Sequence, residues 1–171
     1  LLKMEALTHI ARLFQYPKGD YTETVEELLN CLNGYGKTVT DNFTNVAFHF
    51  TSNPEAYLQE YYIHTFDVNA ECYLDIGYVL FGEDSKRGQF LLHLKKEQLK
   101  ANNDCGTEFP DHLPNFLTLL AKLDDIVFRE ELIVTMLIPA LRHIVKNFRT
   151  SDNIYKGLLQ CLISILETDF S

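Results

Sequence analysis

The sequence predicts an all-α protein, a single-domain helical bundle covering residues 1–171. Three observations carry this. Apolar residues recur at three- and four-residue spacing along most of the chain. Proline, glycine and asparagine break that pattern at short intervals, where helices start and stop. Alternating strand patterning is nearly absent; Thr38 to Phe50 is β-branched and aromatic in places but does not alternate cleanly.

The elements follow in order. Leu2 to Tyr16 puts Ala6, Leu7, Ile10, Leu13 and Phe14 on one stripe, and Pro17-Lys18-Gly19 stops it. Thr22 or Thr24 starts a second helix through Val25, Leu28, Leu29 and Leu32, which Gly34 and Gly36 end. Asn53-Pro54 marks the next start, with Asn as cap and Pro at the first helical position. That helix carries Leu58, Tyr61, Tyr62, Thr65 and Phe66 inward. Ser85 caps a helix with Phe90, Leu91, Leu94 and Leu99 inward and Lys95, Lys96 and Lys100 outward. Pro110 and Pro114 bracket another start, since proline is tolerated only in a helix's first turn. Ile126 to Phe148 is apolar nearly all round, which predicts the central helix, kinked at Pro139. A last helix runs from about Asn153 to Leu166.

Composition narrows the function. Lys and Arg total 15 against 24 Asp and Glu, a net charge of −9, which disfavours sequence-independent nucleic-acid binding and suits a basic partner. The longest uncharged apolar run, Leu132 to Leu141, is too short to span a bilayer. The chain starts at Leu1 rather than Met, so a residue or more is expected ahead of it, and the opening residues have no secretory-leader pattern. Cys31, Cys72, Cys105 and Cys161 stand far apart with no CxxC, as expected of thiols in a reducing, cytoplasmic setting.

The search for chemistry finds no phosphate loop, no nucleophile elbow and no H-E-x-x-H. Glu60 and His64, and Glu108 and His112, stand four apart rather than at the three-residue spacing of helical di-metal sites, so no catalytic residue and no metal ligand is assigned. The stretch from Glu108 to Pro114 is more unusual, because two prolines stiffen a turn that carries Asp111 and His112. Asp111 either caps the following helix or is presented to a partner, where a carboxylate can pair with a guanidinium.

Several ordered patches then resemble the NarJ/TorD/DmsD family of molybdoenzyme assembly chaperones, and within it the NarJ-like branch, the delta subunit of nitrate reductase. Leu13-Phe14-Gln15-Tyr16-Pro17 is similar to the end of that family's first helix. Tyr62-Ile63-His64-Thr65-Phe66-Asp67 is similar to its Tyr-(Val/Ile)-x-x-Phe-Asp motif. The loop from Gly82 to Gln89 and the hinge Glu108-Phe109-Pro110-Asp111-His112-Leu113-Pro114 complete the series. Thr118 and Val68-Asn69 depart from the family's usual Glu and Arg-Gly, which bears on the client rather than the fold.

The resemblance implies a cytoplasmic chaperone, not an enzyme, carrying no cofactor of its own. Its partner would be the catalytic subunit of a molybdenum reductase, bound through a twin-arginine-like N-terminal segment and held until the molybdenum cofactor is inserted. No nucleic acid and no direct membrane insertion are implied, and the chain is a monomer or a dimer. The implied peptide-binding residues are Tyr62, Phe66, Asp67, Glu108, Pro110, Asp111, His112 and Pro114. Two other readings stay open: a generic helical interaction module with another client, and a helical-bundle metalloprotein.

Overall fold

A computed structural model describes residues 4–68 and 70–170. Helix α1 (Met4–Leu13) buries Ala6, Leu7, Ile10, Ala11 and Leu13; the predicted start at Leu2 lies outside the described residues. The turn after it is held by Arg12, whose guanidinium donates to the Lys18 and Asp20 carbonyls and to Thr24 Oγ1 and lies 4.2 Å over the Tyr21 ring. Helix α2 (Thr22–Leu32) is not capped by a threonine hydroxyl. Asp20 Oδ1 instead accepts from the Thr22 amide at 2.8 Å, because an aspartate two residues upstream reaches the free amide that the threonine itself cannot.

Helix α3 (Lys37–Ser52) occupies the segment that propensity leaves unassigned. Its buried residues Val39, Phe43, Val46 and Phe50 are three or four apart, a helical period that the β-branched and aromatic residues among them obscure. The face packs against α10, and this burial outweighs the weak intrinsic propensity. Helix α4 spans Glu55–Phe66 with Pro54 at its N-cap. Asn53 does not cap it; its amide turns back to donate to the His49 carbonyl at 2.9 Å, closing the end of α3.

Helix α5 (Ile76–Phe81) is short and was not foreseen; Gly82 ends it at φ +62°, a conformation that only glycine adopts readily. Helix α6 (Ser85–Lys100) is capped by Asp84, whose carboxylate accepts from the Lys86 amide at 2.9 Å, rather than by Ser85. Leu99 is exposed, contrary to the inward position read for it, and Gln98 is buried. The physical reason is that loop carbonyls meet α6 there: Gln98 Nε2 donates to the carbonyls of Pro110 and Asn115, both at 3.1 Å.

Helix α7 (Leu113–Lys122) starts between the two prolines, with Pro114 in its first turn. Ile126 to Asn147 is helical without a break, but not as one regular α-helix. It comprises α8 (Ile126–Leu132), a π-helical turn (Ile133–Leu137) and α9 (Ile138–Asn147). The π turn lies directly ahead of Pro139, whose ring would clash with the carbonyl four residues back in a regular helix. Nor is the segment buried all round, since Val127 and Val134 are exposed. Helix α10 (Ile154–Phe170) is the last element among the described residues, Asn153 Oδ1 accepting from the Tyr155 amide at 2.8 Å.

Neighbours follow a simple order: α7 on α1, α1 on α2, α2 on α3, α3 on α10, α10 on α9, α9 on α5, and α5 on α6. One connected core runs through these helices. Among the described residues there is no strand, only a single antiparallel bridge between Asp75 and His112. No helix among them is long and apolar enough to cross a membrane.

Candidate functional site

The hinge from Glu108 to Pro114 is pinned in place by backbone bonds before any side chain acts. The Ile76 amide donates to the Asp111 carbonyl and the Leu113 amide to the Leu74 carbonyl, both at 2.9 Å. This ties the loop before α7 to the loop before α5. Asn115 adds to it, its amide donating to the carbonyls of Cys105 at 3.2 Å and Phe109 at 3.0 Å.

Asp111 is fully buried. It does not cap α7, whose N-cap is His112. Its Oδ2 accepts from the Gly77 amide at 2.9 Å, and both oxygens face Arg87 at 3.4 Å, from Nε and Nη2. Burial pushes the Asp111 carboxyl above its ordinary range and the Asp75 charge adds to this, while Arg87 and the Gly77 amide work in the opposite direction. Gly77 is required here: a Cβ on it would stand 2.7 Å from Asp111 Oδ2 and 2.8 Å from the Phe90 ring. The carboxylate that the sequence offers to a partner's guanidinium therefore meets a guanidinium of its own chain.

His112 is likewise turned inward. Its Nδ1 lies 3.1 Å from Asp75 Oδ1, and Asp75 Oδ2 lies 3.6 Å from Arg87 Nη2. The Arg87 guanidinium carbon lies over the rings of Tyr78 and Phe109, 5.5 and 5.2 Å from their centroids. Pro114 is buried in the first turn of α7.

Glu108 and Pro110 lie on the outer side of the hinge. They line an open groove of about 550 Å³ between the hinge and α6, whose apolar walls are Leu91, Leu92, Leu99 and Phe109. Leu92, Leu99 and Phe109 are more than half exposed, at 66%, 69% and 55%. Three large apolar side chains left to water on one groove make a patch of the kind that interaction surfaces show.

Tyr62 and Phe66 sit on α4, in a cluster of aromatic rings. Tyr62 lies 4.9 Å from Phe66 and 5.6 Å from Tyr16, and Phe66 lies 4.8 Å from Tyr155. Tyr62 is mostly buried, and burial chiefly, with the nearby charges of Asp67, Glu108 and Asp75, drives its phenol upward. Asp67 and Glu108 are exposed, whereas Asp111 and Pro114 are buried and His112 is half-buried. Asn69, beside the Phe-Asp motif, lies outside the described residues.

Sequence reasoning missed Asp75, Gly77, Tyr78 and Arg87 as parts of this site. Arg87 had one available signal: a buried aspartate between two prolines needs a buried cation, and Lys86-Arg87 opens the neighbouring helix. Glu60 and His64 are exposed and 3.7 Å apart on α4, and Glu108 and His112 do not pair, since His112 turns to Asp75.

The fold and hinge define a class: an all-α bundle with a proline-framed, acid-bearing hinge beside an apolar groove. A comparison with protein-family models gives no match. The chain is similar to the probable nitrate reductase molybdenum cofactor assembly chaperone NarJ of Bacillus subtilis (strain 168), with 31% identity over 116 residues. The match covers 67% of this chain and 61% of that relative, so it spans less than two thirds of the relative's length. The chain belongs to the NarJ-like family.

Proposed function

We propose that the chain is a molybdenum cofactor assembly chaperone for a nitrate reductase. In this reading it works in the cytoplasm, performs no catalysis, and binds the N-terminal segment of the reductase's catalytic subunit while the molybdenum cofactor is inserted. The cofactor belongs to the client. The observation that carries the reading is the groove beside the hinge. Leu92, Leu99 and Phe109 expose an apolar wall, and Glu108 and Asp104 add acidic charge to its lining.

That chemistry suits an amphipathic basic helix, which lays its apolar face into a groove and keeps its cations at the rim. A net charge of −9 supports capture of such a segment, raising the encounter rate more than the final affinity. Asp111 and His112 serve in this reading by fixing the hinge that carries Glu108, Phe109 and Pro110, and Tyr62 and Phe66 by backing the end of α4.

The test is binding of a labelled peptide with the reductase's N-terminal sequence, followed by fluorescence anisotropy. The double variant Leu99→Ser, Phe109→Ala removes exposed apolar surface and leaves the core intact. Affinity should fall by about tenfold or more, given roughly 25 cal/mol for each Å² of lost apolar contact. Equal affinity in the double variant, with unchanged helical content, would remove the groove from the site.

A further inference from the structure

Two solvent-facing stripes share one pattern and carry opposite charge. On α6, Leu92, Lys95, Lys96 and Leu99 stand at positions i, i+3, i+4 and i+7, and all four are exposed. From α8 into the π turn, Val127, Glu130, Glu131 and Val134 stand at the same four positions, and all four are exposed. That spacing puts each set on one helix face, with two apolar ends roughly 10 Å apart and two like charges between them.

Solvation accounts for the lysines and glutamates, but not for the ends of the stripes, where Val127 is 77% and Val134 45% exposed beside the open Leu92 and Leu99. None of the four charges has an ion-pair partner among the described residues. The sign of each stripe extends to its surroundings. Helix α6 carries Lys86, Arg87, Lys95, Lys96 and Lys100 against Glu97 alone, in a chain of net charge −9. Asp124 and Asp125 add to the acidic side, just ahead of α8.

Both stripes lie on one edge of the bundle. The His93 and Phe128 rings are 6.5 Å apart, and Lys100 of α6 and Val127 of α8 line one cavity of about 570 Å³. We infer that this edge is a homodimer interface, with a second copy of the chain as the partner. A partner of one charge would satisfy only one stripe, whereas a second copy brings both. A twofold axis between the two helices lays α6 of each copy on α8 of the other, so every contact is made twice. The order apolar, two charges, apolar reads the same from either end, so the stripes match whichever way the helices run. Lys95 and Lys96 then meet Glu130 and Glu131, which fixes the register, and the leucines meet the valines, which supplies apolar burial.

Such a contact is small and its charges stay near water, which makes the dimer reversible and sensitive to salt. It covers Leu92 and Leu99, which also wall the groove beside the hinge, but the inference does not rest on what that groove binds.

The experiment is sedimentation velocity of the full chain from low-micromolar to submillimolar concentration, at low and high salt. The wild type should pass from monomer to dimer as concentration rises, and added salt should reverse this. Two charge-swapped variants follow, Lys95→Glu with Lys96→Glu, and Glu130→Lys with Glu131→Lys. Each alone sets like charges against like and should weaken self-association by about a hundredfold or more. Mixed in equal amounts, with one variant fluorescently labelled, they restore both complementary contacts and should form a heterodimer. A wild type that stays monomeric throughout would overturn the proposal. So would variants that dimerise as the wild type does, or a mixture that gives no heterodimer while both variants keep wild-type helical content by circular dichroism.

Discussion

His49 links burial to acid sensitivity in a way that can be measured directly. It lies on α3, 5% exposed, with its ring against Tyr61 at 4.5 Å, Phe50 at 5.1 Å, Tyr57 at 6.1 Å and Tyr155 at 6.5 Å. Its Nε2 has no hydrogen-bond partner among the described residues. Burial holds its pKa down to about 4, against 6.5 for a free histidine.

The folded value lies below the unfolded one, so between those limits the unfolded chain binds more protons. The neutral ring's contribution is complete above pH 6.5 and is lost as the pH falls toward about 4. At roughly 1.4 kcal/mol for each pH unit, the gap is worth about 3 kcal/mol, or on the order of 2–3 kcal/mol allowing for some water reaching the ring. The variant His49→Phe keeps the aromatic packing and removes the titration. Urea unfolding from pH 4 to pH 7.5 should show the wild type losing that amount relative to the variant. At pH 7 the variant should match the wild type or exceed it by about 1 kcal/mol, because an unpartnered buried nitrogen is gone. Two stability curves that stay parallel over this range would refute the reasoning.

Two further outcomes concern the hinge. Gly77→Ala forces a Cβ to 2.7 Å from Asp111 Oδ2, so urea unfolding should show a loss of about 2–4 kcal/mol, much more than an exposed Gly→Ala such as Gly88→Ala; equal effects would mean that Asp111 moves aside freely. Arg87→Leu strands a fully buried carboxylate and should cost about 3–5 kcal/mol. Arg142→Ala breaks an exposed pair with Glu167 and should cost less than about 1 kcal/mol. Comparable losses in the two would show that the Arg87 pair is no more than a surface contact.

The residues that announce themselves in the sequence are those whose role is local. The stripe Ala6, Leu7, Ile10 needs only the helical period to be read, and Pro110 and Pro114 frame the start of α7 through proline's missing amide and fixed φ. The ordered patches from Leu13 to Pro114 likewise pointed to the NarJ-like family with no structure at hand. Helix α3 stayed hidden because its residues favour strands by propensity, and only the face of α10 makes burying them as a helix worthwhile.

The site divides in the same way. That Glu108, Asp111 and His112 share a stiff turn is written in the sequence; which of them faces water is not. The bridge between Asp75 and His112 joins residues 37 positions apart, and it turns Asp111 and His112 inward while leaving Glu108 and Phe109 on the groove. Arg87 pairs with Asp111 across 24 positions for the same reason. By itself, the sequence determined the all-helical class, most helix starts and the acidic hinge, since each depends on neighbours a turn or two away. Tertiary structure decided which carboxylates are buried, which arginine neutralises them and where the apolar groove opens. Those outcomes depend on desolvation, and desolvation is set by the packing of segments that are distant in the chain.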